Sequence, residues 1–227
     1  VPAGYTSVTD PRTGFASLFK FGDYKTQEKS VEFMKKVDSL CYDEKEDKFV
    51  FDIDYDKFGE NASFRKKWEI WTVGERIVEE QKDGRWSLIK FSLTEKLKDI
   101  LRNASLDYED GENFLPRLLQ CSKGTVNSVF WIFRLAVQLR NSDSSTGEDY
   151  IQSPVKAEDG TFFKSSDSRD NLPIDADANG AYNIARKGLL LLQGIDEKAT
   201  DDGKIDYKEW KQSNKDWFEF AHNKNTH

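Results

Sequence analysis

Apolar and polar residues alternate most regularly over Phe49–Asp56, where Phe51, Ile53 and Tyr55 share one side and Asp52, Asp54 and Asp56 the other. A period of two is that of a strand with one buried face. Trp68–Val73 and Trp86–Ile89 predict two more strands, the second introduced by a Lys82-Asp83-Gly84 turn. Before them, Val1–Ser17 reads as a strand end and a turn at Asp10-Pro11-Arg12-Thr13-Gly14, and Gln27–Leu40 as a helix with Val31, Met34 and Val37 at helical spacing. From Ser92 the period changes. Ser92-Leu93-Thr94-Glu95 is a capping box, followed by Leu93, Leu97, Ile100 and Leu101 on one helical face. A shorter helix is predicted over Asn113–Gln120. The next, Thr125–Gln138, is apolar nearly all round, so several neighbours should bury it, and it should end near Arg140.

Asn141–Gly147 and Ser153–Pro173 read as polar loops. Ala178–Gln193 predicts a helix with Ala181, Ile184, Ala185, Gly188, Leu189 and Leu192 inward. A last helix starts at Ser213, capped through Asp216, and buries Trp217 and Phe220. Strands followed by helices predict a mixed α/β, α+β fold.

The 227 residues suffice for one large domain or two small ones. With 34 Lys+Arg against 41 Asp+Glu the net charge is −7, which excludes a self-sufficient, basic nucleic-acid binder. The acid-free stretch Phe114–Ser142 nevertheless holds Arg117, Lys123, Arg134 and Arg140, and Ala178–Ile195 holds Arg186 and Lys187. No run of 18 apolar residues predicts a membrane span, and the N-terminus has no secretory pattern. It also lacks an initiator Met, as expected of a fragment or a processed chain. Cys41, Cys121, His222 and His227 are too few and too scattered for a zinc or disulfide framework, and a reducing cytosol is the default expectation.

Chemistry is concentrated in Pro173–Gly188. Small residues at 176, 178, 180 and 181 leave room around Asp175, Asp177 and Asn179 at a helix start, where a hard divalent cation such as Mg2+ takes one or two carboxylates and keeps its waters. The same carboxylates serve equally as a helix cap. Arg140, followed by Asn141 and Ser142, can present its planar fork to a phosphate, or simply complement a helix C-terminus. Phe163–Arg169 is a third polar segment, of a kind more often solvated than functional. Asp52, Asp54 and Asp56 are explained by the strand period. Lys198–Glu209 imitates a calcium loop, but a lysine stands at its first ligand position.

The run Asp175-Ala-Asp-Ala-Asn-Gly-Ala-Tyr-Asn-Ile-Ala-Arg-Lys-Gly-Leu resembles the third RuvC-like motif of type V-A CRISPR RNA-guided DNA endonucleases. Three further matches follow in that family's order. They are Val1-Pro-Ala-Gly-Tyr-Thr-Ser with Asp10-Pro-x-Thr-Gly-Phe15, Leu139-Arg-Asn-Ser142 with Thr146-Gly-Glu-Asp-Tyr-Ile-x-Ser-Pro-Val155, and Phe163–Arg169 as a stretched Phe-Asp-Ser-Arg. The resemblance implies a C-terminal portion in which residues 1–16 end the second RuvC segment, 17–174 form a Nuc domain and 175–227 form the third segment of an RNase H-like RuvC domain. It implies phosphodiester hydrolysis with Mg2+ or Mn2+, Asp177 being the last catalytic carboxylate and metal ligand. Arg140 is the Nuc-domain arginine of the reaction, with Asp149, Ser142 and Arg169 guiding substrate.

The partners implied are target DNA and guide RNA through the full-length protein, together with upstream RuvC segments, in a prokaryotic cytoplasm. Two catalytic carboxylates of that family have no counterpart here, so the chain alone should be inactive or weak. Lys164-Ser165 interrupts the last motif. The competing class is a non-catalytic acidic module that binds a partner or responds to calcium.

Overall fold

The computed structural model describes residues 4–59, 65–169, 171–198 and 213–223. The calcium-loop-like stretch beyond Lys198 and His227 lie outside them. The architecture is mixed α+β, as expected, with three small antiparallel sheets around one helical core among the described residues.

The first sheet contains β1 (Ser39–Asp43), β2 (Lys48–Asp54) and β3 (Lys67–Trp71) in that order. The period-two reading of β2 holds: Phe49, Phe51 and Ile53 are buried, and Tyr55 just beyond follows them. Its acidic side is used locally. Asp52 accepts from Ser39, Asp54 caps the short turn at 55–58, and Asp56 pairs with Lys66 at 3.0 Å. Helix α1 (Gln27–Met34) is six residues shorter than its periodicity suggests, because Asp38 N–H bonds Asp52 O and the chain enters the β1–β2 ladder. Local spacing cannot show such a long-range partner.

The second sheet is a hairpin of β4 (Glu75–Lys82) and β5 (Arg85–Ser92). Its first strand, Glu-Arg-Ile-Val-Glu-Glu-Gln-Lys, is too charged to announce itself by pattern. Helix α2 (Leu93–Asn103) then starts where Ser92 accepts from Glu95 N–H, with Leu93, Leu97 and Leu101 buried. After the single turn α3 (Leu115–Leu118), α4 (Lys123–Ala136) crosses the interior. Its Phe133 ring lies 5.2 Å from Phe33 and 5.3 Å from Phe51, and Trp131 stacks on Phe91, so α4 is indeed covered from several sides.

The third sheet, β6 (Arg140–Asp143), β7 (Glu148–Lys156) and β8 (Phe162–Lys164), replaces both expected loops. Asp143 accepts from Ser145 and Thr146, and Gly147 at φ +76° closes the β6–β7 turn. The polar residues of 141–147 are therefore hairpin chemistry. Ser165, in the segment read as solvated, is buried and accepts from Ile151 N–H.

Helix α5 (Ala176–Lys198) is turned opposite to expectation. Ala181, Ile184, Ala185, Leu189 and Leu192 face solvent, while Asn179, Asn183, Arg186 and Lys187 are buried. Those polar groups donate to backbone carbonyls of the first residues. Asn179 reaches Ser7 and Thr9, Asn183 reaches Thr6 and Thr9, Arg186 reaches Pro11, and Lys187 reaches Gly4. A buried carbonyl left without a donor costs more than an exposed leucine, so the polar face wins the interior.

Helix α6 (Asn214–His222) has the predicted capping box and buries Trp217 and Phe220. It closes over Gly14, whose added Cβ would stand 2.7 Å from the Ala221 carbonyl carbon, at φ +70°. No described helix is long and apolar enough to cross a membrane. Gly14→Ala is expected to lower stability by about 2–4 kcal/mol, a fall in Tm of roughly 6–12 °C, from left-handed strain plus the clash. Thermal unfolding followed by circular dichroism measures it.

Candidate functional site

The β6–β7 register sets the site. Ser142 pairs with Asp149 and Arg140 with Ile151, so Arg140, Ser142 and Asp149 share one face of the hairpin, Arg140 lying diagonal to Asp149. The arginine fork closes that diagonal with two bonds, Nε to Oδ1 and Nη2 to Oδ2 of Asp149, each 2.9 Å. These bonds raise the guanidinium pKa further above its ordinary value, so Arg140 remains charged. Nη2 also reaches Asp177 Oδ1 on α5 at 3.3 Å.

The helix-cap alternative divides between the two aspartates. Asp175 takes the cap, its Oδ1 accepting from Ala178 N–H at 2.6 Å. Asp177, two residues on, points outward, and Arg140 is its one side-chain partner among the described residues. The helix-terminus explanation for Arg140 fails, because α4 ends at Ala136 and Arg140 begins a strand.

The two contacts of Arg140 differ in strength. Asp149 is 24% exposed and bound through a bidentate fork, whereas Asp177 is 86% exposed and bound once. A solvated single contact is worth roughly 0–1 kcal/mol, and a paired fork on a half-buried strand is the stronger anchor. Asp149 therefore fixes the guanidinium, and the contact to Asp177 is the one a competing ligand can displace.

Arg140, Asp149 and Asp177, all predicted, meet here, and Ser142 borders them exposed on the same hairpin face. Arg169 does not join them. It is exposed, with no ion pair among the described residues, and its carbonyl accepts from Leu172 N–H.

A group that sequence reasoning missed lies beneath. Arg76 is fully buried and donates to the carbonyls of Leu135, Ala136, Val73 and Glu75. It is this arginine that satisfies the C-terminus of α4 and so fixes the chain leading to Arg140. Burial lowers its pKa to about 10. An arginine in a charged strand carries no signal of such a role.

The nuclease domain (NUC) family model matches residues 9–167. The chain belongs to the nuclease domain family. Such a domain serves nucleic-acid cleavage, the hydrolysis of phosphodiester bonds. The matched span contains the whole β6–β7 hairpin with Arg140, Ser142 and Asp149, while Asp177 follows it.

For a divalent metal, the nuclease domain chain offers a hard carboxylate oxygen at Asp177, exposed and spared from capping. That suits one ligand of a Mg2+ that keeps most of its waters or shares further carboxylates. Among the described residues no group of three or more His, Cys, Asp or Glu forms a cluster.

Arg76→Ala is expected to cost about 3 kcal/mol by leaving buried carbonyls without a donor. Urea denaturation measures it, and a change within about 0.5 kcal/mol would contradict the clamp.

Proposed function

We propose that this nuclease domain chain is the C-terminal nuclease portion of a type V-A CRISPR RNA-guided DNA endonuclease. The observation that carries the reading is the guanidinium of Arg140 held by Asp149 and touching Asp177. Residues from two separate family-like motifs, Arg140 with Asp149 from one and Asp177 from the other, 37 positions from Arg140, meet at one point. Chance likeness in short motifs gives no reason for such convergence.

In this reading residues 1–16 and 175–227 belong to an RNase H-like RuvC domain and 17–174 to the Nuc domain. Support comes from the grip of Asn179, Asn183, Arg186 and Lys187 on the carbonyls of residues 4–11, which ties the two chain ends together. The exposed Ile184, Leu189 and Leu192 give upstream RuvC segments an apolar face to cover. Guide RNA and target DNA are bound by the full-length protein in the prokaryotic cytoplasm.

Asp177 serves as one ligand of Mg2+ or Mn2+. When bound, the metal supplies an activated water and stabilises the leaving oxygen. The chain's own groups position the substrate. Arg140 offers its Nη2–H to a phosphate oxygen in place of the weak contact to Asp177. Asp149 holds the fork in plane and charged, Ser142 offers a hydroxyl on the same face, and Arg169 contacts the strand further out.

In the intact parent protein with magnesium, Asp177→Ala is expected to reduce cutting of both strands by at least about 1,000-fold. Retained double-strand cutting on a gel sinks the assignment. Arg140→Ala should slow one strand about 100-fold more than the other, and equal loss on both contradicts a guiding role.

A further inference from the structure

The β4–β5 hairpin is anchored at its base and stands clear at its tip. Phe91 stacks on Trp131, and Arg76 and Ile77 are buried, whereas Glu79–Gln81 and Arg85–Leu88 are exposed. Trp86 is 67% exposed, and Leu88, two residues on, shares its face of the strand. An indole and a leucine side by side make an apolar patch on this arm.

The backbone beneath the patch is open as well. Asp83 and Gly84, at φ +51° and +77°, form a two-residue turn, so Lys82 and Arg85 close the ladder as a hydrogen-bonded pair. From there the register runs unbroken to Glu75 opposite Ser92, and hydrogen-bonded pairs alternate with unbonded ones. The N–H and C=O groups of Arg85, Ser87 and Ile89 therefore face β4, and those of Trp86 and Leu88 face away. No third strand pairs with β5 among the described residues. The outer edge of β1, by contrast, is closed at Leu40, whose N–H donates to Asn113 Oδ1 and whose carbonyl accepts from Phe114 N–H, each at 3.0 Å. The outer edge of β4 presents Glu79 and Gln81, polar residues of the kind that discourage pairing. β5 has no proline, no bulge and an apolar patch, so nothing blunts its edge.

We propose that β5 is a docking edge for an extended, acidic peptide segment of a partner protein, added as an antiparallel strand with the pattern apolar-x-apolar-acidic. This role is separate from the nuclease reading and uses none of its residues. The outward backbone groups of Trp86 and Leu88 supply hydrogen bonds, and their side chains select apolar residues at two alternate positions. A nucleic-acid strand has no amide row to match this edge.

Charge selects the last position. β5 carries Arg85 and Lys90 and no carboxylate, while the acids of the hairpin strands, Glu75, Glu79 and Glu80, lie on β4. Lys90 is already paired, with Glu148 at 2.9 Å and Glu75 at 3.5 Å. Arg85 is exposed and has no ion pair among the described residues, so the acid of the partner stands opposite it. A second copy of β5 would bring the same two cations and no acid, which disfavours self-pairing.

The test is an NMR titration of the chain with the peptide acetyl-Thr-Val-Thr-Val-Glu-Thr-amide, and separately with the same peptide carrying Lys in place of Glu. The acidic peptide should shift the backbone amide signals of Trp86 and Leu88 saturably and slow their hydrogen exchange. The lysine peptide should bind about fivefold more weakly, and Arg85→Gln should bring the two peptides to equal affinity. Leu88→Pro removes an outward N–H and no ladder bond. It should keep Tm within about 3 °C and weaken binding at least about tenfold. Unmoved signals at Trp86 and Leu88, equal binding of the two peptides to the unaltered chain, or full binding by Leu88→Pro overturn the docking edge. A dimer that forms with rising concentration and is lost in Leu88→Pro overturns the acidic partner and gives the edge to a second copy. Neither metal nor cleavage enters these measurements, so their failure leaves the Asp177 assignment standing.

Discussion

The carbonyl oxygens of residues 4–11 need hydrogen-bond donors, and this constraint organises the rest of the molecule. The segment makes a short 3-10 turn and one isolated bridge, Thr9 to Ala16, so a sheet ladder supplies little. Helix α5 meets the need with the amides of Asn179 and Asn183, one turn apart, and with the cations of Arg186 and Lys187. Polar groups placed inside force the leucines of α5 outside. The same docking sets the N-terminus of α5 against the β6–β7 hairpin and brings Asp177 within reach of Arg140. The inverted helix and the assembled site are two results of one interaction.

Two buried or half-buried arginines divide the work at the hairpin. Among the described residues Arg76 hydrogen-bonds only to backbone carbonyls and holds the end of α4, from which the chain runs four residues to Arg140. Among the described residues the fork of Arg140 bonds only to carboxylates, one strongly and one weakly. The inequality leaves a guanidinium fixed by Asp149 with donor capacity toward the exposed Asp177, and in the proposed reading that is the contact a phosphate replaces. A symmetric pair of strong contacts would have no such freedom.

Much of this was legible in the sequence where the cause is local. The N-cap at Ser92, one half of the expected capping box, the full box at Ser213, the alternation of β2 and the largely apolar α4 were readable because each depends on neighbours a few residues away. Residues Arg140, Asp149 and Asp177 were singled out by motif, and their meeting is a property of the fold alone. What was not legible depends on distant partners. β1 forms only against β2, β4 only against β5, and the hairpin at 140–156 hides in residues that read as loop. The direction of α5 was misjudged because hydrophobic spacing says which residues share a face, while the carbonyls of residues 4–11 decide which face is buried. Arg76 gave no sign, since the two carbonyls through which it holds α4 lie some 60 positions away.

The account's central claim is that Asp149 anchors Arg140 while Asp177 is held loosely. Double-mutant cycles in urea unfolding, one for Arg140 with Asp149 and one for Arg140 with Asp177, measure both couplings directly. The expected couplings are about 1 kcal/mol to Asp149 and below about 0.5 kcal/mol to Asp177. A coupling to Asp177 that equals or exceeds the coupling to Asp149 would contradict the account.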